Sequence, residues 1–336
     1  MEIKREKRNS SLELLRIISM ILIVAHHFAV HSAFGADISA FNSFVIKVFS
    51  SGGKVAVNVF VLISGYFLVE SKFKIRRIIN VLVPTLIYSI LGYLSIAWLK
   101  GTPITFKDLL HEALPIRNNA YWFVTCFVAL SILSPFINKL IGALNQKQHL
   151  ALALILVLMQ VRFYTIEPVF SISNIGWFIT LYIIAGYIKK YPNKVFDKKL
   201  YMALAVLVLG TVVALWSYAT IINDIFCLAL ALSMLCLFKN INIKYNKFIN
   251  LVGAATFGVY LIHDNDFIRP VIWNDILLCP QHAYFKTFWL FAIAMVALVF
   301  VSCVLIDWVR MLITKLIVKL FYKIKGRKNE KRVQKI

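Results

Sequence analysis

Charge is scarce in this chain of 336 residues: 15% are Asp, Glu, Lys or Arg, against 60% hydrophobic residues. A soluble domain carries about a quarter charged residues and is nearer half apolar, so a water-soluble globule is excluded. Acidic groups are scarcer still, 15 against 37 Lys and Arg, which leaves a formal net charge of +22. The basic residues fall between hydrophobic runs and at the two ends. That is the pattern of the positive-inside rule, and no nucleic-acid partner is expected. Five cysteines, Cys126, Cys227, Cys236, Cys279 and Cys303, show neither metal spacing nor a disulfide framework. Four lie in hydrophobic runs, and Cys279 alone is expected to be exposed; all read as small apolar residues. Internal repeats, low-complexity linkers and a soluble appendage are also missing. One membrane bundle can account for the whole length.

The hydrophobic runs predict ten spans, at about 12–33, 52–69, 78–99, 120–141, 148–164, 173–189, 199–217, 220–238, 248–264 and 285–308. The second is short and starts at Gly52-Gly53. It is expected to begin as an interfacial segment around 44–50 or to be re-entrant. Lys and Arg in alternate connections orient the bundle. One side receives Lys4, Arg5, Lys7 and Arg8, then Lys72, Lys74, Arg76 and Arg77. It also receives Lys189, Lys190, Lys194, Lys198, Lys199, Lys239, Lys244, Lys247 and the tail. The other side carries scattered ones: Lys100, Lys107, Arg117, Arg162, Arg269 and Lys286. Both termini are therefore expected in the cytoplasm. The basic start and apolar stretch have the look of a signal peptide, but Arg16 and His26-His27 interrupt it, so an uncleaved span is expected.

The fold class is thus all-α, a polytopic membrane helix bundle in a cell membrane. A transmembrane domain is expected over 1–322, followed by a basic cytoplasmic tail over 323–336 lying against anionic headgroups. Two outer connections, 100–119 and 264–284, are long enough to be structured.

The chemistry is expected on the first span. Arg16 and His27 are eleven residues apart, which returns them to nearly one helix face, ~16 Å apart along the axis. Ionisable groups inside a membrane helix are functional candidates by default, because lipid-facing placement is costly. A neutral imidazole can accept a hydroxyl proton, and a guanidinium grips phosphate in a bidentate fork. The bland alternatives are a polar face satisfied by neighbouring helices for His27, and snorkelling or pairing with Glu13 for Arg16. His31 lies one turn beyond His27, but no carboxylate or thiolate in this span completes a metal site, and no metal is expected.

Other groups carry two readings each. Lys72, Lys74, Arg76 and Arg77 are a topology signal, a phosphate-binding rim, or both. Ser64-Gly65-Tyr66 is a packing stretch of small residues by default. Tyr121-Trp122 suits an interfacial aromatic belt. His263, Asp264, Asp266 and Arg269 cluster at the outer end of the ninth span. They either face water or face the bundle, where they would offer hydrogen-bond partners to a polar acceptor. Arg162 and Glu167 flank another outer turn and read as solvated.

Taken in order, these residues resemble the membrane-bound acyltransferase-3 family, whose ten-helix members modify surface glycans. The resemblance rests on Arg16-x10-His27, Ser64-Gly65-Tyr66, the basic run leading to Pro84, Tyr121-Trp122-Phe123 and the GVYLIH stretch at 258–263. It spans nearly the whole chain. Relatives often carry Arg-x-x-Arg before the third helix; here Arg77 is followed by Asn80, and Lys74 with Arg77 keeps the spacing one turn earlier. The resemblance implies transfer of an acyl group, usually acetyl from cytoplasmic acetyl-CoA, to a hydroxyl of an envelope glycan or its lipid-linked precursor in a bacterial plasma membrane. On that reading His27 and Arg16 are catalytic, and Arg16, Lys74, Arg76 and Arg77 hold acetyl-CoA. Tyr121, Trp122, His263 and Asp264 contact the acceptor. Membrane lipid and a second copy of the chain are the remaining partners considered. Rival classes are a secondary transporter or lipid-linked glycan flippase, for which repeat symmetry is absent, and a glycan polymerase, which would carry a larger outer loop.

Overall fold

Asparagine and aspartate caps start the helices where the polar connections hand over to apolar runs. Asn9 accepts from the backbone N–H groups of Ser11 and Leu12 at the start of α1 (Ser10–His31). Asn145 and Gln148 form a reciprocal capping box on α6 (Gln146–Gln160). Asp224 caps α9 (Ile225–Asn240), and Asn246 caps α10 (Lys247–His263). The other elements are α2 (Ala40–Leu68), α3 (Ile75–Lys100), α4 (Phe106–Glu112), α5 (Trp122–Ala143), α7 (Asn174–Lys190) and α8 (Lys199–Trp216). After α10 come α11 (Ile268–Pro270), a π-helical turn (Val271–Ile276), α12 (Cys279–His282) and the long α13 (Phe288–Val333). This computed structural model describes residues 8–118, 120–161, 174–216 and 224–333, with side chains up to residue 320 except at 216. Among the described residues every regular element is helical, so the all-α expectation holds.

By length and composition, five helices can cross a membrane: Ser10–His31, Ala40–Leu68, Ile75–Lys100, Trp122–Ala143 and Phe288–Leu320. Lys199–Leu215, Ile225–Asn240 and Lys247–His263 are shorter apolar helices. Leu158, Leu204, Leu207, Val301 and Leu305 point outward and exposed. Apolar side chains around the rim are costly in water and fit a lipid surround.

The core is centred on α1, which packs against α2 and α10 and touches α9 and α13. Leu15, Val24 and Phe28 of α1 are fully buried, as are Val59, Leu62 and Ile63 of α2. Glycine allows the closest approaches. A Cβ on Gly65 would press on Ala185 Cβ and Tyr182 Cα of α7, which gives Ser64-Gly65-Tyr66 its packing role.

Three expectations change. The second span is one continuous helix from Ala40, with no re-entrant break at its start. Gly52 and Gly53 lie within this helix, and their missing side chains let it approach Leu22 and His26 of α1. The last span does not stop at 308; α13 runs unbroken through 322 and 323 to Val333, with no proline or glycine from 309 to 325 to end it. Cys279 is fully buried, not exposed. It opens the short helix α12, and burial pushes its thiol up to about 11. The turn with Arg162 and Glu167, the basic groups Lys4, Arg5 and Lys7, and the tail side chains lie outside the described residues.

Candidate active site

A cavity of about 680 Å³ lies between α1, α2, α3, α5, α10 and α13, within the roughly 300–1,000 Å³ of ligand pockets. Arg16, Met20, Ile23, His26 and His27 of α1 line one wall from end to end. The two residues read from the sequence as one stripe therefore face one space, separated by ~16 Å of helix rise.

At the Arg16 end the lining is basic. Arg8, Arg16 and Arg310 all reach the cavity. The Arg16 guanidinium donates to Glu13 at 2.7 Å, and Arg8 lies 3.6 Å from the other carboxylate oxygen. Pairing with Glu13 and lining the cavity are thus both true of Arg16. Arg310 is held by Asp307 through two bonds of 2.6 and 3.1 Å, and Tyr88 donates to the same carboxylate at 2.9 Å. Asp307 is fully buried and sits where a Cβ on Gly258 would collide with it. The absent side chain at 258 is what lets this acid fit between α10 and α13. Three guanidiniums against two carboxylates leave a positive surplus at this end, which favours an anion. The cavity reaches the surface here, between exposed Ile79 and Asn80 of α3 and Val318 of α13.

The middle of the cavity is apolar and aromatic. Val57, Phe60, Phe123, Phe127, Phe257 and Tyr260 line it. Pro84 also lines it and, having no N–H, leaves the Asn80 carbonyl without its helical donor.

The far end carries the imidazoles. His263 Nδ1 faces the Val259 carbonyl at 2.5 Å, which can only accept, so that nitrogen carries the proton. In a neutral His263 the Nε2 then accepts, and His27 Nδ1 donates to it at 2.9 Å. The Nε2 lone pair of His27 is left as the acceptor on a ring that lines the cavity. Asp264 Oδ1 lies 3.6 Å from His27 Nδ1 and 3.8 Å from His31 Nε2. The arrangement is a base, an orienting group and a nearby carboxylate, as in hydrolytic triads.

Of the outer cluster, then, His263 and Asp264 face the bundle and are buried, while Asp266 is exposed. His26, expected on another face, lines the cavity beside His27 and donates to the Ser50 carbonyl at 2.6 Å. His27, His31 and Asp264 bring three possible metal-ligand atoms within 4.8 Å of one another. The carboxylate comes from the α10 cap, not from helix 1. Arg269, however, donates to the same Asp264 oxygen at 3.0 Å. The carboxylate oxygen nearest the two imidazoles is thus shared with a guanidinium.

The remaining expected site residues divide. Trp122 lines the cavity. Tyr121 is buried, donates to the Leu261 carbonyl at 3.0 Å and accepts from Asn265 at 2.8 Å. Lys74, Arg76 and Arg77 flank the start of α3 and do not line the cavity; Arg77 donates to the Lys72 carbonyl. Three basic lining residues, Arg8, Lys54 and Arg310, went unnoticed as site residues in the sequence. The signal that singled out Arg16, an ionisable group in an apolar run, applies equally to Lys54.

No curated protein and no solved structure matches the chain. The family profile described as an acyltransferase domain matches residues 9–308. That match takes in the lining residues of α1, α2, α3, α5 and α10, while Arg8 and the lining residues of α13 lie just outside it. The chain, helical in every regular element among its described residues, belongs to the acyltransferase-3 family.

Proposed function

We propose that the chain is an integral-membrane O-acyltransferase of a bacterial plasma membrane, with ten spans and both termini in the cytoplasm. It moves acetyl from cytoplasmic acetyl-CoA to a hydroxyl of an envelope polysaccharide or its lipid-linked precursor. One observation carries the reading: an oriented imidazole and a set of guanidiniums line the two ends of the same cavity.

The phosphates of the donor bind at the basic end, against Arg8, Arg16 and Arg310, with Lys74, Arg76 and Arg77 drawing the anion to the mouth. The pantetheine arm follows the aromatic middle, and the thioester reaches His27. His27 Nε2 takes the proton from the acceptor hydroxyl, and the oxygen attacks the thioester carbonyl carbon. The carbonyl pair moves onto oxygen, then returns as the C–S bond breaks. The departing thiolate recovers the proton from His27, giving the acetyl ester and CoA. His263 holds the base in its tautomer, and Asp264 faces the imidazolium while it exists.

Inverted vesicles supplied with acetyl-labelled acetyl-CoA test this. Label should enter an envelope polymer in a form released by mild alkali, and His27→Ala should abolish it. Absence of such label from the wild type, or wild-type labelling by His27→Ala, overturns the proposal.

A further inference from the structure

Lys54 occupies the middle of α2, a helix of 29 residues whose one other charged residue is Lys47. Its side chain lines the cavity. The ammonium makes no hydrogen bond or ion pair among the described residues and lies 5.5 Å from the centroid of the Trp122 ring. Every guanidinium in the same cavity has a carboxylate partner. An unpaired ammonium in such surroundings is costly. The cation–π contact with Trp122 offsets part of that cost and aims the group.

The depth of Lys54 is set by its neighbour. A Cβ on Gly53 would collide with the His26 ring, so this stretch of α2 is level with His26 and His27. Arg16 lies ten residues further along α1 from His26, ~15 Å away by helix rise. Lys54 is therefore placed at the imidazole end, away from the guanidiniums that suit phosphate.

We propose that Lys54 is a catalytic residue whose ammonium stabilises the thioester oxygen as it becomes an oxyanion. This rests on the acyl-transfer reading above. Attack by the acceptor oxygen moves the carbonyl π pair onto that oxygen, and collapse returns it as the C–S bond breaks. Lys54 donates a hydrogen bond throughout and transfers no proton, so His27 alone carries the proton from hydroxyl to thiolate. A preorganised charge aimed at developing negative charge acts strongly where water is excluded.

The test uses Lys54→Met and Lys54→Arg in the same vesicles, with expression matched by immunoblot. Lys54→Met should lower the maximal rate of label transfer about 100- to 1,000-fold, the usual loss on removing an oxyanion donor. Its half-saturating acetyl-CoA concentration should stay within about threefold of wild type, while Lys54→Arg recovers part of the rate. A wild-type rate in Lys54→Met overturns the inference, as does a loss that high acetyl-CoA restores. Should Lys54→Met fail to insert, acetyl-CoA labelled with carbon-13 at the carbonyl is bound to purified His27→Ala. A carbonyl stretch below its value in water supports the polarising role, and an unshifted stretch overturns it. If the wild type itself transfers no label, the acyl-transfer reading has failed; if only Lys54→Met is unaffected, this inference alone has failed.

Discussion

Replacing His263 by leucine isolates the orienting half of the imidazole pair. Leucine fills much of the same volume and cannot accept a hydrogen bond, so the His27 Nδ1–H loses its 2.9 Å partner. A buried donor left unsatisfied costs about 1–3 kcal/mol. If that cost falls on the reactive tautomer, the rate drops roughly 5- to 150-fold, at 1.36 kcal/mol per decade. The upper range applies if His27 turns over and presents its N–H to the cavity. The lower applies if Asp264 Oδ1, 3.6 Å away, takes up the donor. His263→Gln keeps a carbonyl that can accept from His27 and should stay within about fivefold of wild type. Initial rates of label transfer, measured against acetyl-CoA concentration, give the maximal rate and the half-saturation point separately. The loss should lie in the maximal rate, because His263 is remote from the guanidinium end. His263→Leu within twofold of wild type would refute the reasoning. So would His263→Gln as slow as His263→Leu.

Asp307→Ala removes both bonds to Arg310 and the one from Tyr88 at a fully buried position. Breaking a buried pair costs about 3–5 kcal/mol, so the thermal midpoint of the detergent-solubilised protein should fall by roughly 5–15 °C; a fall of a degree or less would contradict this. Prolonged EDTA treatment should leave label transfer unchanged, because Arg269 already engages the Asp264 oxygen that a metal at His27 and His31 would need. A loss of transfer restored by a divalent cation would show instead that this triad holds an ion.

The helical class, most helix positions and the Arg16–His27 wall were legible because each rests on a local, periodic signal. A run of apolar residues gives a helix in lipid whatever its neighbours do. An eleven-residue spacing gives a common face whatever that face meets. The partners of those residues were not legible, because they come from distant chain positions. Nothing in helix 1 announces that His27 meets His263, 236 residues away. Asp264 joins His27 and His31 for the same reason. The choice between a water-facing and a bundle-facing cluster at 263–269 could only be made by the packing of α10 against α1.

Lys54 and Arg310 escaped notice for a different reason, which lies in where helix ends were drawn. A span drawn from 52 puts Lys54 two residues from a water boundary, where a lysine can snorkel and asks for no explanation. With α2 starting at Ala40, the same lysine is 14 residues from either end. A span closed at 308 likewise leaves Arg310 as one more positive-inside residue, whereas in α13 it is paired with a buried acid against the cavity. Hydropathy detects where apolar character begins, not where the helix begins. Segments 44–50 and 309–318 mix apolar residues with Lys47, Arg310 and Lys315 and blur that edge. A charge near the edge of a predicted span therefore holds the least certain meaning in such a chain. Its reading turns on whether the helix continues past it, and in both helices here the continuation turns a charge near a boundary into a group that lines the cavity.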